Sequence, residues 1–411
     1  MNQTDDAFLH GVIERAFAER RPAALGVAVS GGGDSMALLG LVHDWATEAG
    51  VRLAAVTLDH GLRAEAAAEA AFVAEVCAAR GIVHDVLRWD GWTGQGNLQA
   101  EARLARYRLI AQWARAQGVE VVCLGHTRDD QAETFLMRLA RKAGSDGLCG
   151  MAARFERDDM AWQRPLLGVG RAELRAYLRR NGMEWVEDPS NEDAGYDRVK
   201  ARKALELLAP LGIEAETLSA VADNLATENA LLRAVTRRAL AGVEETHGAL
   251  SVPRAVFDAL HPEVRRRFLL AGINWIAGGD YAPRRAAVAA LEAALLEGGT
   301  HVAGGVIGWL AKGHVWLARE LAAVGGFQGM LFDGRWRVEG VKSDQEIRPL
   351  GEAGLMQCQD WRETGLPRRV FLPLPGVWQG DQLRAAPLIV AGKAVNITLN
   401  RPSFAEWLNR H

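Results

Sequence analysis

The segment 30–35 near the N-terminus has the residue types of a phosphate-binding loop. It follows an apolar run at 25–29 and precedes a helix-like run at 36–45. Glycines let a backbone approach phosphate oxygens without a Cβ in the way, and the start of a helix offers unpaired N–H groups. The segment therefore predicts a phosphate loop, with a ligand-free glycine turn as the alternative. Its members are Ser30, Gly31, Gly32, Gly33, Asp34 and Ser35.

Asp34 distinguishes this loop from a Walker A loop, which carries a lysine that reaches the phosphates. A carboxylate beside phosphate is tolerated when a cation lies between the two negative groups. Ser30 and Ser35 frame the glycines and add hydroxyl donors. Asp34 therefore indicates Mg²⁺ as a cofactor of the phosphate site.

A second polar cluster follows the apolar run at 53–58. Ligands of parallel α/β sheets bind beyond the carboxyl ends of the strands, so this cluster is expected to join the same site. Asp59 is suited to accept a hydrogen bond from a ribose hydroxyl, and His60 and Arg63 are suited to contact nucleotide or RNA phosphate. An ordinary polar loop is the alternative interpretation.

Two arginines lie on the helix-like run at 98–117. Arg103 and Arg106 are three residues apart and therefore share one helix face. Such a pair can clamp an anionic substrate or stabilise negative charge that develops during a reaction. Solvated arginines on a surface helix are the alternative.

A third cluster occupies the segment 125–134, after the apolar run at 119–124. It contains His126, Asp130 and Glu133, of which the two acids are three residues apart at the start of a predicted helix. Paired carboxylates of this kind fit Mg²⁺ or an ammonium group of a substrate. Acids in a first helical turn also complement the helix dipole without any ligand.

The scaffold that must position these clusters is an α/β domain. From residue 24 to about 165, short β-branched runs alternate with helical segments, which is typical of a parallel sheet covered by helices on both faces. The following region is mainly helical, and the tail is richer in Gly, Pro and Trp. We predict a catalytic domain at 1–210, a mainly helical domain with a connector helix at 211–324, and a small β-containing domain at 325–411.

Composition sets limits on the class of protein. The chain has 411 residues, of which 49 % are hydrophobic and 24 % charged, as in soluble globular proteins of two or three domains. A net charge of -3 gives no overall attraction to nucleic acid, so RNA contacts would need local basic faces. We expect neither an export signal nor a membrane span, and hence a cytoplasmic protein. The cysteines lack the CxxC spacing of zinc or iron–sulfur sites: Cys77, Cys123, Cys149 and Cys358.

In this order, the motifs resemble those of the bacterial tRNA(Ile)-lysidine synthetases, a PP-loop family of the adenine-nucleotide α-hydrolase superfamily. The resemblance covers most of the chain, and the succession of motifs makes it specific. The SGGxDS loop alone is shared with GMP synthetase, asparagine synthetase and several tRNA thiolases. The resemblance is carried by segments 30–35, 58–63, 101–107, 125–134, 147–151 and 187–191, with Tyr196, Arg198 and Arg202.

The resemblance implies an enzyme that uses ATP and Mg²⁺ to adenylate the wobble cytidine of a tRNA(Ile) with a CAU anticodon. L-lysine then displaces AMP and forms a carbon–nitrogen bond at C2. ATP binding falls to the loop at 30–35 with Asp59 and His60, and metal binding to Asp34 and Asp130. The implied catalytic residues are Asp34, Arg103, Asp130, Glu133 and Arg202. The implied substrate-binding residues are Arg63, Arg106, His126, Asp130 and Glu133.

Basic residues outside the first domain are the candidates for tRNA phosphate contacts, with exposed helix arginines as the alternative. The C-terminal domain is expected to assist tRNA recognition, although tryptophans such as those in this tail are more often core residues than base-stacking platforms. The oligomeric state stays open, with a homodimer as one option. The candidate phosphate contacts are Arg233, Arg237, Arg238, Arg265, Arg266, Arg267, Arg284 and Arg285.

Three rival functions use the same fold. A tRNA thiolase typically needs a reactive cysteine pair, and Cys123 falls in a predicted buried strand while Cys149 lacks a close partner in sequence. An amidotransferase-like synthetase would leave much of the C-terminal half unexplained. A non-catalytic RNA-binding protein would not need the acids Asp34, Asp130 and Glu133.

Overall fold

The computed structural model describes residues 6–61, 66–89, 92, 98–187, 197–278, 283–390 and 395–410. The chain divides into two compact units, residues 1–229 and 230–411. The three-domain boundaries expected from the sequence stay a prediction.

The first unit is built around a six-stranded sheet of order β3-β2-β1-β4-β6-β5. The first five strands in this order pair in parallel, and β5 joins the edge in an antiparallel hairpin with β6. The predicted parallel sheet is therefore confirmed. The strands are β1 (Ala24–Ala28), β2 (Arg52–Asp59), β3 (Val83–Arg88), β4 (Val121–Leu124), β5 (Arg154–Arg157) and β6 (Met160–Gln163).

Helices connect these strands and continue beyond them. They are α1 (Asp6–Phe17), α2 (Gly33–Ala49), α3 (Ala66–Ala79), α4 (Leu98–Ala116), α5 (Arg128–Ala140), α6 (Ser145–Leu148), α7 (Arg171–Arg180), α8 (Asp197–Leu208) and α9 (Ala215–Ala239), of which α9 extends past the unit boundary. Both faces of the sheet are covered, as expected for parallel strands that are buried throughout.

The central strand β1 shows how the sequence pattern produces the two layers. Leu25 and Val27 pack into a core with α1, α2, α3 and α7, whereas Ala28 faces a second core with α4. Gly26 lies on the α4 side, where a Cβ would come within 3.0 Å of the Trp113 ring. The absence of a side chain at Gly26 therefore lets α4 pack directly on the sheet.

The topology creates a crevice between β1 and β4. The chain leaves β1 toward β2 on one side, and β4 pairs on the other side of β1. The carboxyl ends of these two strands therefore splay their following loops apart, which is where open α/β sheets bind ligands. The glycine loop follows β1, and the loop at 125–127 follows β4 and leads into α5.

The second unit combines helices with three antiparallel sheets, of orders β7-β8-β11-β10-β9, β12-β13-β14-β18 and β15-β16-β17. Its strands are β7 (Glu244–Thr246), β8 (Ala249–Pro253), β9 (His301–Ala303), β10 (Val306–Ala311), β11 (His314–Arg319), β12 (Phe327–Gln328), β13 (Leu331–Phe332), β14 (Trp336–Glu339), β15 (Glu346–Pro349), β16 (Pro375–Gln379), β17 (Gln382–Ala385) and β18 (Asn396–Leu399). Its remaining helices are α10 (Arg254–Ala259), α11 (Pro262–Ala277), α12 (Arg285–Leu296), α13 (Gly351–Gln357), α14 (Arg368–Phe371) and α15 (Phe404–Arg410).

This arrangement confirms a helical middle region followed by a β-containing tail. Trp336 and Trp378 are both buried, and Trp336 packs in a core that also contains Trp309 and Trp316 of the preceding sheet, which supports a packing role for them. Among the helices in the described ranges, none combines the length and apolar character needed to cross a bilayer.

Leu38 tests the core of the first unit because it is fully buried on α2. Replacement by alanine removes buried methyl groups and leaves a cavity, so we expect Leu38→Ala to lower the free energy of unfolding by about 2–5 kcal/mol. Leu207→Ala on α8 is the matched control, since Leu207 is 81 % exposed and should change stability by less than about 0.5 kcal/mol. Pulse proteolysis in urea measures both, and equal losses would contradict the assigned core.

Candidate active site

The glycine loop has the geometry of an open cradle at the start of α2. Gly31 has a φ of 84°, a conformation that side-chain-bearing residues rarely adopt. The Ser35 hydroxyl donates to the carbonyl of Gly32 at 2.9 Å and accepts from the backbone N–H of Ser30 at 3.1 Å. Ser35 therefore stabilises the loop's own shape, and the glycine backbone is left to face the cavity.

Gly125 lets the loop after β4 approach the loop after β1. A Cβ at this position would lie 3.1 Å from backbone atoms of Asp34 and of Ser35. Backbone atoms cannot yield as a flexible side chain can, so even alanine would push the two loops apart. This close approach brings the phosphate loop and the start of α5 into one site.

Thr127 and Asp130 form a reciprocal cap at the start of α5. The backbone N–H and the hydroxyl of Thr127 both donate to Asp130 Oδ2, at 2.8 and 3.0 Å. The backbone N–H of Asp130 lies 3.4 Å from the Thr127 hydroxyl, which completes a capping box. The cap uses Oδ2 of Asp130 and leaves Oδ1 to face the neighbouring helix.

The guanidinium of Arg171, the first residue of α7, contacts three acids that the sequence analysis had selected. Its Nε donates to Asp34 at 3.1 Å, its Nη2 to Asp130 at 2.7 Å, and its Nη1 to Glu133 at 2.7 Å. Its backbone N–H donates to Asp129 at 2.8 Å. One cation therefore joins the starts of α2, α5 and α7.

Sequence reasoning missed Arg171. It lies 38 residues from Glu133 and 137 residues from Asp34, and its helix carries several other arginines. The only local signal is its position at the first turn of α7, where a cation is unfavourable to the helix dipole and therefore needs another reason.

Glu133 is the most deeply buried acid of the cluster, with a side chain 1 % exposed. Its Oε1 accepts from Arg171 and also from Arg202 Nε, at 3.1 Å. Its Oε2 is buried and has no hydrogen-bond partner among the described residues. Buried carboxylate oxygens rarely lack a partner, so Oε2 marks a position that a donor or cation can fill.

The acids respond differently to this environment. Burial raises the pKa of Asp34 to about 6, against the attraction of Arg171 and with the help of the nearby Asp130 charge. Burial acts in the same direction on Asp130, but Arg171 and the Thr127 N–H outweigh it and lower the pKa of that carboxyl. The three carboxylates in turn raise the pKa of Arg171 despite its burial, so its charge persists at every relevant pH.

Asp34, Asp130 and Arg171 line a cavity of about 780 Å³, and Glu133 lies behind them, outside the described lining. Its lining combines the phosphate loop, Asp130 and Arg171 with a set of further cationic residues. A volume of this size accommodates a nucleotide. The polar residues of the lining outside the loop are Glu69, Arg106, His126, Asp130, Arg171, Arg175, Glu187, Arg198 and Arg202.

Several expected site residues meet at this cavity, and others lie elsewhere. Arg106, His126 and Arg202 line it, as expected for residues that contact substrate. Arg103 is exposed, its guanidinium lies 5.3 Å from the Tyr107 ring centroid, and it is not among the described lining residues. Its catalytic role stays a prediction.

The second polar cluster lies at the end of β2. Asp59 accepts from the backbone N–H of Gly61 at 2.8 Å, which is a local turn contact. His60 packs edge-on against Trp89, and neither residue belongs to the described lining. Arg63 falls outside the described residues, as do the segment 188–191 and Tyr196.

The described ranges contain no group of three or more His, Cys, Asp and Glu side chains arranged to hold a metal ion. Asp34 and Asp130, the expected metal ligands, both contact the Arg171 guanidinium instead. Mg²⁺ usually takes one or two carboxylates together with phosphate oxygens, so these two acids remain a suitable donor pair when a nucleotide is present.

The cysteines lack the features of a sulfur-transfer site. Burial raises the pKa of Cys77 to about 11 and that of Cys123 to about 12, so neither forms a thiolate at neutral pH. The Cys149 thiol donates to the carbonyl of Asp146. These properties disfavour thiolase chemistry.

The basic residues proposed to contact RNA differ in accessibility. Arg265 and Arg267 are each 8 % exposed and pair with Glu292 and Glu263, so they are committed within the protein. Five others are exposed and stay candidates: Arg233, Arg237, Arg238, Arg284 and Arg285.

Comparison with known proteins identifies the family of this chain. The ATP-binding family described as a PP-loop domain matches residues 8–208, which assigns the first unit to the PP-loop class of ATP-using proteins. The tRNA(Ile)-lysidine synthase of Ruegeria pomeroyi is 48 % identical over 380 residues, which cover 90 % of each chain. That of Bradyrhizobium diazoefficiens is 43 % identical over 64 % of this chain and 75 % of its own. The chain belongs to the tRNA(Ile)-lysidine synthase family.

Among solved structures, the U34-tRNA thiolase NcsA of Methanococcus maripaludis matches with a TM-score of 0.46 and 12 % identity. The match covers 54 % of this chain and 80 % of the thiolase. A likeness at this level carries no argument about function.

Arg171→Met tests the guanidinium as the counter-charge of the acid cluster. The variant keeps an apolar stem but removes the cation that contacts all three carboxyl groups, so we expect a loss of about 3 kcal/mol in the free energy of unfolding at pH 7.5. Arg175→Met on the same helix is the control, because Arg175 and Glu187 form a surface pair with side chains 44 % and 61 % exposed and should contribute less than about 1 kcal/mol. Urea-dependent pulse proteolysis compares them, and similar losses would contradict the special role of Arg171.

Asp34→Asn tests the energetic cost of this buried carboxylate. Because its folded-state pKa is raised from 3.8 to about 6, the folded protein binds more protons than the unfolded chain in this window. The ionised group therefore destabilises the fold increasingly as pH rises from about 4 to above 6.

The stability advantage of the Asp34→Asn variant over the native protein should grow by about 1 kcal/mol between pH 5 and pH 8, after allowance for partial exposure. Asp197→Asn, at a side chain 58 % exposed, provides the control. Urea-dependent pulse proteolysis at the two pH values measures both variants. An Asp34→Asn advantage that shrinks as pH rises would show that the sign of the pKa shift is wrong.

Proposed function

We propose that this protein uses ATP to adenylate the C2 carbonyl oxygen of the wobble cytidine in a tRNA(Ile) with a CAU anticodon. In this step the oxygen–phosphorus bond forms at the α-phosphate and pyrophosphate leaves. An amine of L-lysine then attacks C2 and releases AMP. The product base is lysidine.

The observation that carries this proposal is the convergence of the phosphate loop and the carboxylates of Asp34 and Asp130 in one cavity, with Glu133 joined to them through Arg171. The loop suits the phosphates of ATP, and the carboxylates suit the cationic second substrate. The relationship to the Ruegeria pomeroyi tRNA(Ile)-lysidine synthase, which extends over 90 % of both chains, supports this pairing of substrates.

The phosphate loop supplies the electrostatics of the first step. Backbone N–H groups at the start of α2 and the Arg106 side chain surround the position where the leaving pyrophosphate accumulates charge. The cavity also places Arg198 and Arg202 nearby, so several cations offset the charge of the triphosphate. Because it can offset this charge, Arg202 is a proposed catalytic residue.

Mg²⁺ fits this site when ATP is present. Asp34 and Asp130 would hold it, with phosphate oxygens completing the coordination. When bound, the ion neutralises charge on the pyrophosphate leaving group. Asp34 stands at the phosphate loop and Asp130 at the adjoining helix start, which matches this role.

Glu133 and Asp130 are the proposed contacts for the lysine ammonium groups. Glu133 does not line the described cavity, but its buried Oε2 lacks a hydrogen-bond partner among the described residues, and its Oε1 contacts Arg171, which does line the cavity. Binding of an ammonium at Oε2 would therefore leave the Arg171 contact at Oε1 in place. The exposed arginines of α9 and α12 are proposed phosphate contacts for the tRNA. The substrates are cytoplasmic molecules, and we place the reaction in the cytoplasm.

The test is lysine incorporation. Purified protein, ATP, Mg²⁺, radiolabelled lysine and an unmodified CAU-anticodon tRNA(Ile) transcript should give acid-precipitable label. The label should vanish without ATP and with a transcript whose wobble cytidine is replaced by uridine. Pyrophosphate release without any lysine transfer would contradict the proposal and leave only the adenylating step.

Glu133→Gln separates lysine binding from adenylation. Loss of a charged hydrogen bond should lower kcat/KM for lysine by about 10- to 100-fold, while pyrophosphate release in single turnover changes little. Glu206→Gln is the matched control, because Glu206 is exposed on α8. A Glu133→Gln variant with unaltered lysine dependence would remove Glu133 from the lysine site.

A further inference from the structure

His126 occupies the loop between β4 and α5, directly beside the point where this loop meets the phosphate loop. It lines the cavity together with Asp130, Arg106 and Arg198. Its Nδ1 lies 3.2 Å from the Nε of Arg164, a residue just beyond β6. Nothing in the roles assigned so far uses this contact.

The contact decides which nitrogen of the imidazole carries the proton. A guanidinium has only N–H donors, so the hydrogen bond requires Nδ1 to be the acceptor. A ring whose Nδ1 accepts is neutral and carries its proton on Nε2. The partner thus assigns one tautomer to His126 and leaves Nε2–H as its remaining polar group.

Several contacts fix the position of the Arg164 side chain. It is 6 % exposed, its Nη1 donates to the carbonyl of Ala152 at 2.6 Å, and its guanidinium stacks 4.1 Å from the Phe155 ring centroid. Its backbone N–H donates to the carbonyl of Ala153 at 2.7 Å. These contacts come from β5 and the segment before it, and β5 itself belongs to the sheet.

The charges that surround His126 also favour its neutral form. Burial and the guanidinium groups of Arg164, Arg106 and Arg198 lower the pKa of His126 to about 3, against the attraction of Asp130. A protonated His126 would be repelled by these three guanidinium groups, whereas a neutral His126 ring is not.

We propose that His126 is a neutral hydrogen-bond donor, through Nε2, to a phosphoryl oxygen of the bound nucleotide, and that Arg164 is the positioning residue that fixes this tautomer. The proposal deepens the adenylation step and rests on the proposed function. As the bond to the α-phosphate forms and the bond to pyrophosphate breaks, negative charge grows on phosphoryl oxygens. A donor held in place before the reaction stabilises that charge without reorganisation. His126 is then neither the base that activates lysine nor a metal ligand through Nδ1.

The tautomer of His126 can be measured without any enzymatic reaction. In protein carrying ¹⁵N-labelled histidine at pH 7.5, His126 should show an unprotonated Nδ1 and a protonated Nε2, assigned among the 10 histidines by its disappearance in His126→Gln. Arg164→Lys keeps a donor at Nδ1 and should preserve this pattern. Arg164→Met removes the donor and should produce a mixture of tautomers. A doubly protonated ring, or Nδ1–H in the native protein, overturns the proposal whether or not the variants fold.

The donor role can be separated from mere polarity by three substitutions. Glutamine places an amide N–H near the position of the imidazole Nε2, whereas asparagine reaches only the position of Nδ1. We expect His126→Gln to retain pyrophosphate release within about 10-fold of the native rate, and His126→Asn and His126→Ala to lose about 100-fold in kcat with little change in the KM for ATP. A glutamine variant as slow as alanine overturns the donor role.

Failure of the proposed function gives a different result. Native protein that releases pyrophosphate but transfers no lysine contradicts lysidine formation, yet leaves the tautomer and the glutamine rescue of adenylation measurable. Normal lysine transfer with a protonated His126 Nδ1 contradicts only the role of His126 and Arg164.

Discussion

The buried charge balance around the Arg171 guanidinium is the interaction on which the rest of the site depends. Asp34, Asp130 and Glu133 come from two different helices and would repel one another in a partly dry cavity. One cation on a third helix contacts all of them with separate nitrogens, a geometry that a lysine side chain cannot reproduce. The three carboxyl groups can therefore lie close together before any substrate cation arrives.

Backbone geometry makes this charge cluster possible. The reversal of strand order between β1 and β4 creates the crevice. Gly125 narrows it, because the absence of a side chain there lets the loop after β4 contact the phosphate loop. The phosphate loop keeps its shape through the Ser35 hydroxyl, so its glycine N–H groups do not depend on a ligand for order. The phosphate loop and the proposed ammonium-binding carboxylates thus lie next to each other, as the proposed two-step reaction on a single base requires.

The sequence predicted those parts of the fold and site that depend on local pattern. The glycine loop, the parallel strands and the acids of α5 follow from residue type and short-range spacing. Arg171 and Arg164 could not be recognised in this way, because the site residues that they contact lie 38 or more residues away in the sequence. The β5–β6 hairpin was also missed. Its turn residues Asp158 and Asp159 both have positive φ, a two-residue turn that an Asp-Asp pair signals only weakly.

Asp130 gives one oxygen to the start of α5 and the other to the charge cluster. The Asp130 carboxyl group therefore couples the order of the first turn of α5 to the occupancy of the binding site. Any molecule that draws this carboxylate out of its cap must also loosen the first turn of α5, and by thermodynamic reciprocity a firmer cap must weaken the binding of that molecule. For such a molecule, affinity at this cavity depends partly on the stability of the first turn of α5.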